Sequence, residues 1–494
     1  MTALYILLME FPRLHEVNPV QHLHASIVDL WTFISRECDY EHDSLIDARR
    51  QIVYILRTIR NRLEIPTQTI DHAIHLSILE NMFCFIAHTR DIHCGLGHRK
   101  ITYMMLDAWY ECYPILAIRA LRTILIGNNT KFGYGSWRDV CGLYDYCIQH
   151  SRRGEDNPLI DISVGFMNST LRKDWRALKK HGVCNTNVAK WVPREKSRHH
   201  GLFTRLAHDW GHRYTPHIMT GATTVDAEFA AIRKCKMLYR KTVVSLTRLI
   251  DPLEQKMCSR EIGVINSDSI PDGSFAKNWD WLRDQTLVSL SDTTDSPSQY
   301  TLLTYGFSFP THLDKYVSYA IRSIEDDESS TSHISEDISR LNTQWEYISN
   351  KWNGHVNASD LAIICLESIS IRDPQLHRAI AHACIIAQKS GIKRILYASH
   401  DPVWINLENC DGFVAYIRTI YNALRDQAIS CSNLNNALTF IGENHPFSPI
   451  IITQTGYCYR YDSETEFNQF FEIMDSKRYE SMQNAYRNTI LAEY

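Results

Sequence analysis

The chain has 494 residues and a formal net charge of −4, with 44% apolar and 22% charged residues. At roughly 100 to 200 residues per domain, that length implies two or three cores. The composition is that of folded globular chains and excludes disorder over most of the length, and the absence of any run of about 18 apolar residues excludes an ordinary transmembrane helix.

At the start, the apolar run Ala3 to Met9 has neither a basic leading segment nor a small-residue cleavage site, so it does not read as a secretory signal. From there to about Leu290 the pattern is helical. Ile52, Ile55, Leu56, Ile59 and Leu63 recur at helical spacing, and so do Ile101, Met104, Met105, Ala108 and Trp109. Turn signals separate such segments at Gly95 to Gly97, Gly127 to Asn129, Gly133 to Gly135 and Gly154 to Pro158. Successive helical hairpins, stacked as a HEAT-like array, are the simplest architecture, although no clean internal repeat is visible. Ser289 to Ser298 and the acidic, serine-rich run Glu325 to Asp337 read as solvated connections.

From Asp360 the period changes. Leu361 to Cys365 is a continuous apolar run suited to a fully buried strand. Asp373 and Pro374 then open a helix that carries Leu376, Ile380, Ala383, Cys384 and Ala387 on one face and stops at Gly391. A second strand is expected around Arg394 to Ala398, helices at Gly412 to Arg425 and Leu434 to Ile441, and a third strand at Ile450 to Thr453. Such alternation implies a mostly parallel sheet flanked by helices, with ligands at the carboxyl ends of the strands. The predicted class is therefore α plus α/β. Its expected divisions are an N-terminal helical segment (1–90), the main helical body (91–290), a linker with helices (291–356) and the sheet domain (357–494).

The fourteen cysteines are scattered singly, often inside apolar helical segments such as Met82 to Ile86 and Ala381 to Ala387, with no CxxC pair. This pattern predicts buried, reduced thiols and a cytoplasmic or nuclear protein.

Particular strings carry a resemblance. Gly95-Leu96-Gly97-His98-Arg99, Tyr110 to Pro114 and Tyr134 to Asp139 are followed by Ala189 to Ser197, Tyr239-Arg240-Lys241, Ser269-Ile270-Pro271 and Asn342 to Trp345. In this order they resemble the landmarks of an uncharacterised family of large DNA viruses, plants, fungi and bacteria, over about residues 90 to 494. The viral members are most similar around Trp191 to Ser197. The family is related in layout to the Ro autoantigen, so the resemblance implies a TROVE-like helical body, a C-terminal von Willebrand factor A-like domain and RNA as a ligand. It also implies a place in the host cytoplasm or in virus particles. A von Willebrand A domain holds Mg²⁺ through an Asp-x-Ser-x-Ser motif, a Thr and a second Asp. Here the corresponding positions are Leu366, Ser368, Ser370, Ser432 and Gln454, so the carboxylates that a hard cation needs are missing. Glu367 does not replace the first, because neighbours on a strand point to opposite faces. A degenerate, metal-free site is expected, with no cofactor and a protein partner docking on this domain.

The residues themselves give one strong lead. Between Leu171 and Arg248 there are 17 Lys and Arg against 5 Asp and Glu, a local excess of +12 in a chain whose remainder carries −16. Arg172, Lys173, Arg176, Lys179 and Lys180 are spaced to line one helix face, and Lys190, Arg194, Lys196 and Arg198 extend the charge with Trp191 beside them. Cations for phosphates next to an aromatic for a base are what RNA or another single-stranded nucleic acid requires. The blander reading is a solvated helix face with Trp175 and Trp191 in the core. His208 and His212 stand four apart, as two metal ligands on one helix face do, but Gly211 weakens the helix and no third ligand is evident. A hydrolase acting on nucleic acid, built from these histidines and a distant carboxylate, is thus the alternative to a non-enzymatic binding or scaffold protein. Gly95-x-Gly97 and Gly133-x-Gly135 are not phosphate loops, since neither follows a strand nor carries the Lys and Ser/Thr that such loops use.

Overall fold

A computed structural model describes residues 19–36, 42–64, 70–91, 95–126, 133–220, 224–250, 257–258, 313–327, 338, 341–342, 345–346, 349–350, 356–365, 374–399, 401–425, 434–441, 448–452, 458–460, 470 and 473–493. They are mostly helical, with one small mixed sheet in the C-terminal region.

The first core grows around two helices that are apolar on nearly every side, which is the pattern of a helix enclosed by others. These are α3 (Ile70–Arg90) and α4 (Arg99–Cys112). In α3 every residue from Met82 to Arg90 is buried, and in α4 burial runs unbroken from Ile101 to Trp109. Around them pack α1 (Pro19–Arg36), α2 (His42–Leu63), α5 (Pro114–Ile126) and α6 (Arg138–His150). The predicted stripe Ile52, Ile55, Leu56, Ile59 and Leu63 is the buried face of α2. The layer continues with α7 (Pro158–His181), the single turn α8 (Val188–Trp191), α9 (His200–Tyr214), the short α10 (Pro216–Met219) and α11 (Val225–Ile250). Asn157 caps α7 by accepting from the Leu159 amide at 3.0 Å, with Pro158 at the first helical position.

Two of the sequence strings, Gly95 to Arg99 and Tyr134 to Asp139, meet at the end of α3, where their contacts are structural. Asp139 accepts from Arg90, which is itself buried, at 3.0 and 2.9 Å, from the Tyr103 hydroxyl at 2.6 Å and from the Ser136 amide at 2.7 Å. Beside it, the fully buried Asp91 accepts from Arg478 at 2.5 and 2.8 Å. Gly135 allows this packing, since a Cβ there would stand 2.7 Å from both Asp139 Oδ2 and Ile124 Cγ2. Burial leaves His88 and His98 neutral, with their pKa values pushed down to about 4.

The second core lies on the sheet, whose strand order is β3-β2-β1-β4-β5. The strands are β1 (Asp360–Ile364), β2 (Arg394–Tyr397), β3 (Val403–Asn406), β4 (Ser448–Ile452) and β5 (Cys458–Arg460). The central three, at the expected positions, are parallel, with Ile363 opposite Leu396 and Ile451. The two outer strands are antiparallel additions, so the sheet is mixed where the sequence suggests a mostly parallel one. Side chains alternate between the faces. Ala362, Ile364, Ile395, Tyr397, Ile450 and Ile452 face α12 (Leu313–Asp327), α13 (Pro374–Ser390) and α14 (Phe413–Arg425). Leu361, Ile363, Leu396 and Ala398 face α15 (Leu434–Ile441). Asn342 and Trp345 fasten the preceding segment to this layer. Asn342 Oδ1 accepts from the Val414 amide at 3.0 Å at the start of α14, and Trp345 stacks on Phe413 at 3.8 Å between ring centroids.

The last helix, α16 (Glu480–Glu493), does not stay with the sheet, although the expected division places everything from 357 onward together. Phe470, Met474, Tyr479, Met482 and Tyr486 are buried in the first core, and α16 packs on α3 and α5. The Asp91–Arg478 pair, a 2.8 Å bond between His88 Nδ1 and the Tyr479 hydroxyl, and the Tyr134 hydroxyl donating to the Arg478 carbonyl at 2.7 Å hold it there. No described helix is long and apolar enough to cross a membrane.

Candidate nucleic-acid interface

The cationic stretch folds into a corner made by α7, the turns either side of α8, and α11. Leu171 and Asp174 mark the buried side of α7, so the residues a half-turn away must point outward. Gly182, with φ of +70°, ends the helix in the left-handed conformation that favours glycine. The chain then turns back because buried Asp174 accepts from the Thr186 hydroxyl at 2.5 Å and the Asn185 amide at 3.3 Å. Val188 and Ala189 plug α8 into the first core. Cys235, Tyr239, Thr242 and Leu246 fix α11 on its other side, with the Tyr239 hydroxyl donating to Asn168 at 2.9 Å. Two bonds join α11 to the α8 region: Arg240 to Glu195 at 2.7 Å, and the Thr247 hydroxyl to the Ala189 carbonyl at 3.4 Å.

The structure separates the ten candidate residues into three sets. Lys173, Arg176, Lys180, Arg194 and Lys196 are exposed, and their side chains make no ion pair among the described residues. Lys179 and Lys190 lie over aromatic rings, Lys179 Nζ at 4.8 Å from the Trp175 centroid and Lys190 Nζ at 5.7 Å from that of Trp191. Both tryptophans are half-buried against the first core, so each offers an edge and not a free face. Arg172 and Arg198 are already engaged. The Arg172 guanidinium sits 5.3 Å from the Tyr214 ring and 6.0 Å from that of Trp210, and Arg198 pairs with Asp145 at 3.1 Å.

Sequence reasoning passed over a second cationic row. Arg233, Lys234, Lys241 and Arg248 are exposed on α11 and make no ion pair among the described residues. They contribute to the +12 excess, but their helix reads as an ordinary amphipathic segment; it packs beside α7 and α8. Phe229, Met237 and Val244 are exposed on the same helix.

His208 and His212 do come together, with their Nε2 atoms 3.2 Å apart on the exposed side of α9. Burial, followed by the neighbouring His212, lowers the His208 pKa. No group of three potential metal ligands occurs among the described residues, so the hydrolase alternative lacks its carboxylate there. Leu366, Ser368, Ser370, Ser432 and Gln454 lie outside the described residues, as does Ser269 to Pro271. No family model, curated protein or solved structure matches the chain. Between α7 and α11 several exposed cations make no ion pair among the described residues, and a surface with an excess of one charge attracts the opposite one.

Proposed function

We propose that the chain is a non-enzymatic scaffold that binds RNA or another single-stranded nucleic acid on the corner formed by α7, α8 and α11. The observation that carries this reading is the set of exposed cations that make no ion pair among the described residues: Lys173, Arg176, Lys180, Arg194 and Lys196, with Arg233, Lys234, Lys241 and Arg248 on α11. Ordinary helix faces intersperse opposite charges at i and i+4, which neutralise one another. A row of one sign costs stability through self-repulsion and gives affinity for phosphate in return. Trp175 and Trp191 lie under Lys179 and Lys190, where a base edge reaches an aromatic and a cation together.

In this proposal the helical body is TROVE-like and HEAT-like, and the sheet with its helices on both faces is a von Willebrand A-like module that docks a protein. The Leu366 and Gln454 positions, without carboxylates, make its metal site degenerate. The resemblance to viral members favours the host cytoplasm or the virion as its location.

Ultraviolet crosslinking of the full chain to uridine-rich single-stranded RNA, with mass spectrometry of the adducts, tests the reading. Adducts within 172–198 and 233–248 are expected. Crosslinks spread evenly over the surface, or none, would reject it.

A further inference from the structure

On α9, which packs against both α7 and α11, one pair of side chains has a geometry that suits a different ligand. We propose that His208 and His212 form a two-histidine chelate for a borderline divalent transition metal of the zinc, cobalt and nickel kind. The two residues stand four apart on α9, and α9 runs unbroken through Gly211, which is buried in the packing. Helical spacing puts both rings on one face. Their Nε2 atoms lie 3.2 Å apart. An ion about 2.0–2.1 Å from each nitrogen, the usual zinc–imidazole distance, would subtend an angle of roughly 100°, close to tetrahedral.

Two carboxylates, Asp209 and Glu228, act on His208 within a stretch that is otherwise cationic. Asp209 stays out of the coordination sphere, because its oxygens accept from Arg213 at 2.6 Å and Asn168 at 2.9 Å; it fixes the helix face that bears the rings. Both rings are exposed, so the metal enters directly and its remaining positions are open to water or to a group from a partner. Imidazole pairs select this class of ion over Mg²⁺ and Ca²⁺, which take oxygen donors.

The test is a titration of the full-length protein with zinc chloride against a chromophoric zinc competitor at neutral pH, followed by the absorption spectrum with cobalt. One equivalent of zinc is expected to bind. His208→Asn and His212→Asn should each weaken it by about 100-fold, the advantage that a second tethered donor supplies, and His217→Asn should leave it unchanged. Zinc should also raise the melting temperature of the parent chain and of neither histidine variant, while all three melt alike without metal. The cobalt spectrum should show d–d bands and no thiolate-to-cobalt charge transfer. Absence of zinc uptake, uptake that survives both substitutions, or a thiolate band would overturn the proposal.

Discussion

Replacing Arg478 with alanine should release the end of the chain from the helical body. The guanidinium is 22% exposed and bonds through two nitrogens to Asp91, whose side chain is fully buried. Truncating it leaves a carboxylate in an apolar interior without its main counter-charge, a change that costs about 3–5 kcal/mol. At 1.4 kcal/mol per tenfold, that corresponds to an increase of roughly 140- to 3700-fold in the population with α16 undocked. The Tyr134 hydroxyl bonds to the Arg478 carbonyl, which the variant keeps, so the loss is that of the ion pair and not of every contact. Limited proteolysis followed by mass spectrometry reads the population directly, because cleavage tracks the open state when opening is fast. Cleavage within 470–493 should rise accordingly. A double-mutant cycle with Asp91→Asn should show a coupling of at least about 1 kcal/mol, as contacting charges do. Unchanged cleavage, or single effects that simply add, would refute the claim that this pair closes the first core.

Three further outcomes follow from the packing. His88 and His382 are buried with pKa values pushed down to about 4, against an ordinary 6.5. The unfolded chain therefore takes up protons that the folded chain refuses as pH falls from 6.5 towards 4, and stability should drop over that window, by an amount on the order of a few kcal/mol per residue; thermal melts between these pH values check it, and a flat profile contradicts it. Gly135→Ala should destabilise by about 1–3 kcal/mol, since the new methyl meets Asp139 and Ile124 at 2.7 Å; chemical denaturation measures this. Asn342→Ala should cost about 1 kcal/mol by removing the cap on the Val414 amide, and should lower the unfolding midpoint of the sheet region while leaving that of the helical body in place.

Where apolar residues repeat strongly, the sequence already contains the fold. The Ile52 to Leu63 stripe, the run Ile101 to Trp109 and the strands near Leu361, Ile395 and Ile450 all fall where periodicity places them. The edge strands escaped because Val403–Asn406 and Cys458–Arg460 are short and only partly apolar, and pairing with a neighbour, not local pattern, makes them strands. The return of α16 is less legible still: Asp91 and Arg478 stand 387 positions apart, and no local pattern marks either as the other's partner. For the cationic corner, charge count does not show which side chains are exposed and which are engaged. Arg172 lies against the Trp210 and Tyr214 rings, while Arg233, Lys234, Lys241 and Arg248 belong to α11, whose place beside α8 is set by packing between distant segments.

The most direct measurement is the salt dependence of single-stranded RNA binding by the parent chain and by a Lys173→Glu, Arg176→Glu, Lys180→Glu variant. Each phosphate contact on a single strand contributes about 0.7 to the slope of log affinity against log salt. The parent should bind with a steep negative slope, and the variant should lose affinity together with about 2 units of that slope. Binding that is absent, independent of salt, or equal in the two proteins would contradict the account.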